Sequence, residues 1–290
     1  MLFDEKENRD DPDIFEKAQE DPGASALEVT DYTDPVCPFD ASMWTGMPQE
    51  TVPVMRVVEK SEEYLSRDDF KGAEKHLLYW LDSAKAFRDI RGAFFVLNEL
   101  VGFYRKSGNE KRAREVIAEA FSLTEDERIG KDSTGAATLF VNAATAYKSF
   151  DKSEEALPLF KKAQEIYERD LKPGEWKLGG LYNNMALSYA DLGLYDEAEA
   201  YFFKAIEQMK QVKNGELEQA VTYLNLADIQ YEDDPKIAEY LDLAERFLNT
   251  ETLPRDSYYA YMVDKCAPVF ESYGRTAFAE ELMRRKEAII

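Results

Sequence analysis

Histidine is nearly absent from this chain: His76 is the single one in 290 residues. It sits beside Leu77 and Leu78 in a stretch of helical pattern, where packing is its expected role. One histidine removes His-bearing zinc motifs and repeated acid–base pairs, and a Ser-His-Asp set would have to recruit it. Cysteine is scarce too. Cys37 and Cys266 lie far apart in no CxxC arrangement, which fits idle thiols in a reducing compartment. No stretch approaches the uninterrupted apolar length of a membrane span. The N-terminal MLFDEKENRD lacks the basic start and apolar run of a signal peptide, so a cytoplasmic location is expected. Positive charge is also in deficit, with 36 Lys and Arg against 58 Asp and Glu for a net charge of -22. Such a surface disfavours phosphate backbones and anionic lipid, so neither nucleic acid nor membrane is an expected partner. The same charge also serves solubility.

Motifs for catalysis are missing as well. Gly130-Lys131-Asp132 has the end of a phosphate loop in outline, but position 125 is Glu rather than Gly and Asp132 replaces Ser or Thr. Glu62-Glu63, Glu154-Glu155 and Glu280-Glu281 are adjacent carboxylates on helix surfaces, without the convergence that glycoside hydrolysis needs. No enzyme activity, no metal and no cofactor is expected.

Residues 1–50 show neither helical nor strand period, apart from a short helix expected from Pro12 to Gln19. Residues 1–40 hold thirteen acids against three bases, a bias that favours disorder. Val36 to Phe39 and Met43-Trp44 are nevertheless apolar. An acidic tail, disordered or packed on the rest, is expected over 1–50, and a helical domain over 51–290. That domain repeats. Ala73, Ala113, Ala156, Ala198, Ala238 and Ala279 each stand near the start of a second helix, about 40, 43, 42, 40 and 41 residues apart. Val101, Ala144, Ala186, Ala227 and Ala267 anchor the preceding first helices, with Ser61 at the equivalent place of a degenerate first unit. Gly108, Gly193 and Gly274, five residues before their alanines, suit a helix end that needs positive φ, and Asp151 takes that place once. Regularity at this period means a solenoid. Trp176 reads as part of a connection between units.

The best-formed unit runs from Gly179 to Lys210. Its Leu181-Tyr-Asn-Asn-Met-Ala-Leu-Ser-Tyr189, followed by Gly193-Leu-Tyr-Asp-Glu-Ala198-Glu-Ala-Tyr-Phe202, resembles a tetratricopeptide repeat, and more narrowly the long-period repeats of kinesin light chains and bacterial relatives. The resemblance implies an all-α fold: a right-handed alpha-alpha superhelix, a tetratricopeptide repeat solenoid of about six helix pairs. It also implies that first helices line a concave groove holding a protein or peptide, extended or helical, in a scaffold or adaptor. An alternative it implies is a sensor of small signalling peptides that changes superhelical shape on binding.

At about 100° per residue, Tyr182, Met185, Ala186 and Tyr189 share one face of their helix. Gly180, Asn183, Leu187, Ala190 and Asp191 lie opposite, with Asn184 at the edge. The same offsets give Phe95, Asn98, Gly102, Arg105 and Lys106 in the second unit, and Thr138, Val141, Thr145, Lys148 and Ser149 in the third. They give Leu224, Asp228, Tyr231 and Glu232 in the fifth, and Tyr261, Asp264, Pro268 and Glu271 in the sixth. Asn142, Asn184 and Asn225 recur two residues before their anchor alanines. An amide offers donor and acceptor together, suited to a peptide backbone or to the neighbouring helix. The candidate binding set is therefore Asn98, Arg105, Lys106, Asn142, Thr145, Lys148, Asn183, Asn184, Asp191, Asn225, Asp228 and Tyr231.

Overall fold

The computed structural model describes residues 51–289; the expected tail, its short helix, and Cys37 lie outside them. Twelve α-helices and no strand occur among the described residues. They are α1 (Val54–Ser66), α2 (Phe70–Phe87), α3 (Ile90–Lys106), α4 (Glu110–Leu123), α5 (Thr134–Ser149) and α6 (Ser153–Asp170). Then follow α7 (Trp176–Asp191), α8 (Tyr195–Met209), α9 (Glu216–Asp228), α10 (Lys236–Leu248), α11 (Ser257–Ser272) and α12 (Thr276–Glu287). Consecutive helices pack as six pairs, α1 with α2 through α11 with α12, in an all-α helical repeat superhelix.

The turn inside five of the six pairs, all but α9–α10, has one local cause. Asp68, Gly108, Asp151, Gly193 and Gly274 all adopt positive φ, between 57° and 75°. The N–H of the next residue then bonds back to the carbonyl of Tyr64, Tyr104, Tyr147, Tyr189 or Phe270, at 2.8–3.0 Å. That bond satisfies one of the carbonyls a helix end leaves open and reverses the chain. Asp68 shows that the degenerate first unit keeps the same turn with Asp in place of Gly. Side chains start several helices: Asp69 accepts from the Gly72 N–H at 2.7 Å, Asn109 from Arg112 at 3.1 Å, and Ser133 from Ala136 at 3.1 Å.

Alanines set the closeness of each pair. Ala144, Ala156, Ala186 and Ala198 are fully buried, and the large residues Phe160 and Phe202 one turn beyond the second-helix alanines are buried with them. Burying each such ring contributes roughly 1.5–3 kcal/mol. His76 is likewise buried, its Nε2 3.2 Å from the carbonyl of Val57. Burial pushes the Cys266 thiol up to about 12, so it stays protonated at neutral pH.

Three placements differ from the sequence reading. Ala238 is exposed, and Ile237 takes the inward place in the fifth pair. The Asp234-Pro235 start shifts the register there, because Leu241, Ala244 and Leu248 continue the buried stripe from Ile237. Leu224 is buried at 2 % exposure rather than lining a groove. Trp176 opens α7 instead of lying in a connection.

First helices touch one another along the array, α3 against α5 and α9 against α11 most extensively, while second helices make no comparable contact with each other. Closer approach on one side means curvature toward that side. The first helices therefore line the inner surface of residues 51–289.

Candidate functional site

The inner stripe of α7 runs Trp176, Gly180, Asn183, Leu187, spaced so that each stands about one turn beyond the last. The partition expected from the sequence holds: Met185 and Ala186 are fully buried, while Gly180, Asn183, Leu187 and Asp191 keep surface. A Cβ added to Gly180, or to Gly102 on α3, would meet nothing within 4 Å. The groove floor is open at both glycines.

The asparagines divide into two kinds. Asn142 Nδ2 donates to Asn98 Oδ1 at 3.0 Å, and Asn98 Nδ2 donates to the Phe94 carbonyl at 2.9 Å. Asn98 is buried, with both ends of its amide engaged. Asn225 Nδ2 donates to Asn183 Oδ1 at 3.0 Å, where the Thr222 hydroxyl also donates at 3.3 Å. These are rungs between neighbouring first helices, α3 to α5 and α7 to α9. Asn184 is different: half-buried, with no side-chain bond among the described residues.

The charged candidates are largely committed to one another. Lys148 Nζ lies 3.4 Å from Asp191 Oδ2, which also accepts from the Ser153 hydroxyl at 2.7 Å. That triad joins the third pair to the fourth. Asp228 Oδ1 accepts from the Tyr273 hydroxyl at 2.9 Å, and desolvation raises its carboxyl above the ordinary value against the pull of that bond. The Thr145 hydroxyl turns back to the Val141 carbonyl at 2.8 Å. Tyr231 stands 85 % exposed just past α9, and Lys106 is exposed at the end of α3 with Arg105 half-buried before it.

A pocket of about 490 Å³ opens between α3, α5 and the connection before α5. Asn98 and Asn142 line it together with Phe94, Phe95 and Ile129, and Arg91 and Arg128 contribute positive charge. Arg128 is forked onto Asp126 by two bonds of 2.8 Å, which holds that carboxyl down at about 2. Burial raises the Glu99 carboxyl in the same wall, with Lys106 lowering it and Glu62 adding to the rise. The pocket suits a side chain plus a length of backbone: apolar walls, amides at the base, cations in the lining. Arg91 and Phe94 were missed by the sequence offsets. Trp176, expected on a connection with packing as its default role and an exposed binding hot spot as the lesser one, is 60% exposed at the start of α7, and counting back seven residues from Asn183 lands on it.

Among the described residues no group of three or more His, Cys, Asp or Glu is placed to hold a metal, and no helix is long and apolar enough to cross a membrane.

Paired helices, repeated turns and a curved inner face define a helical repeat protein of the solenoid class. The tetratricopeptide repeat model matches residues 93–169 and 178–242. The chain is a tetratricopeptide repeat protein. Among solved structures, the apo form of RapI matches at TM-score 0.59 and 14% identity, over 85% of this chain and 86% of that one. A signal transduction ATPase with a tetratricopeptide repeat sensor, from Pyrococcus horikoshii, matches at TM-score 0.52 and 18% identity, over 78% of this chain and 31% of that one. Repeats described as kinesin light chain, from Podosopora anserina, match at TM-score 0.48 and 18% identity, over 66% and 92%. At these identities the likeness concerns the fold. Comparison with curated proteins gives no match.

Proposed function

We propose that this chain is a cytoplasmic adaptor that binds a protein or peptide segment along the inner face of its first helices. The observation that carries the reading is the pocket between α3 and α5, where the Asn98–Asn142 rung lies among aromatic walls and cations. Asn183 and Asn184 continue the polar strip onto α7, past the gap at Gly180. An extended backbone lying there would meet amide groups in succession and glycine gaps between them. Arg105 and Lys106 lie toward the acidic end of such a segment, and Asp228 and Tyr231 toward the basic end. The reading needs no catalytic residue, and it takes residues 1–50 as an acidic tail, disordered or packed on the repeats of 51–290.

Panning a peptide library against the chain, then measuring the selected peptides by calorimetry, tests this. Asn184→Ala and Phe95→Ala are expected to weaken binding with the melting temperature nearly unchanged. Peptides that bind both variants as tightly as the parent would exclude the groove.

A second reading is a sensor of small peptides that changes superhelical shape. It is favoured by one feature: α7 meets the first helices α5 and α9 less extensively than α3 meets α5 or α9 meets α11, which leaves the inner face room to change curvature there. Small-angle scattering with and without a selected peptide separates the two. An unchanged curve excludes the sensor.

A further inference from the structure

Two places on each second helix meet the pair that follows. The residue four beyond the anchor is Leu77, Ile117, Phe160, Phe202 and, in the shifted fifth pair, Leu241, all between 0% and 3% exposed. In the sixth pair it is Met283, at 38%. The residue directly after the anchor reaches across to the next pair in three cases. Glu74 accepts from the Tyr104 hydroxyl at 2.7 Å, Arg114 forks onto Glu155 at 2.9 and 2.8 Å, and Glu199 accepts from Lys236 Nζ at 3.0 Å. Glu280 holds this place in the sixth pair, exposed and without a side-chain bond among the described residues.

Both residues line a crease of about 540 Å³ between α11 and α12. Its floor is Ala267, Pro268, Ala279 and Met283; Glu271 and Glu287 add acid to the rim that Glu280 begins, against one cation in the lining, Arg284, whose Nε donates to the Glu280 carbonyl at 3.4 Å. Lys286 occupies the place of the buried alanines Ala120, Ala163 and Ala205, but it is drawn onto Asp264 at 2.5 Å. Pro268 has no N–H to give the carbonyl of Asp264, one turn back. Everywhere else along the array, the equivalent crease receives a helix.

We propose that the α11–α12 crease docks a basic amphipathic helix of a partner protein, separately from the inner groove. An apolar residue of that helix covers Met283, and a lysine or arginine meets Glu280 as Lys236 meets Glu199. The surrounding acids favour cationic flanks and disfavour acidic ones.

The probe is a stapled helical peptide with a leucine stripe flanked by lysines, beside a twin carrying glutamates in their place. Binding to the full chain is read from the Met283 methyl resonance and from calorimetry. The lysine peptide is expected to shift that methyl and to bind about tenfold or more tightly than the glutamate twin. Glu280→Lys should narrow or reverse the preference, and Met283→Glu should abolish binding with the circular dichroism unchanged. Asn184→Ala should leave it intact, which keeps this site distinct from the groove. Equal affinity for the two peptides, or an unmoved Met283 methyl, would overturn the proposal. So would self-association that Met283→Glu dissolves, since a second copy would then be the occupant.

Discussion

The fourth and fifth helix pairs are adjacent and follow the same plan, yet they reach it differently. In α7–α8, Gly193 at φ 73° lets Leu194 bond back to Tyr189, and α8 then brings Ala198 fully inside. In α9–α10 there is no positive φ at the turn. Asp234 bonds back to the Tyr231 carbonyl at 2.9 Å, its side chain accepts from the Lys236 N–H at 2.8 Å, and Pro235 precedes the helix. The inward residue becomes Ile237 and Ala238 turns to solvent. The buried stripe beyond it is nevertheless restored, through Leu241, Ala244 and Leu248. The repeat conserves a packing surface, and the residue that begins it can slide when the turn changes.

The largest contrast between the pairs should come from one substitution made twice. Ala198→Leu adds bulk to a site of 0% exposure and should cost about 1–3 kcal/mol. Ala238→Leu adds it to solvent and should stay within about 0.5 kcal/mol. Chemical denaturation of both checks this, and equal losses would restore Ala238 as the anchor.

Gly193→Ala comes next. A Cβ there meets nothing within 4 Å, so any loss is conformational, at about 1–2 kcal/mol for an alanine held left-handed. Gly193→Asp should lose less, because Asp68 and Asp151 already hold the equivalent turn at φ 57° and 59°. Thermal melts of the two variants rank them.

Asn225→Ala removes the rung joining the two pairs and should cost about 1 kcal/mol. Asn184→Ala breaks no such bond, so its melting temperature should match the parent. If both variants melt alike, the distinction between rung and free amide fails. Smallest of all, Trp176→Ala should leave stability nearly unchanged, since the ring is 60% exposed, while lowering affinity for groove peptides.

Pattern alone made the pairs legible because a helix that must bury small residues on one face shows them at helical spacing. Tyr182, Met185, Ala186 and Tyr189 were separable from Asn183 and Leu187 on that ground. The site was less legible. Asn98 and Asn142 differ by one place in register, and sequence offers no way to see that α3 and α5 approach closely enough to join them. The same holds for Lys148 and Asp191, which come from consecutive pairs. Trp176 was hidden by its position after Pro173 and Gly174, although its spacing from Asn183 was available.

The sequence by itself determined that this is an array of helix pairs, since alanine spacing and turn chemistry are local and recur. It also determined which face of α7 is buried. Tertiary structure alone decided which amides are spent as rungs and which remain open, because a bond between α7 and α9 depends on distances between helices rather than on spacing within one. It alone decided that Ile237 replaces Ala238, where the turn geometry outweighed the alanine pattern.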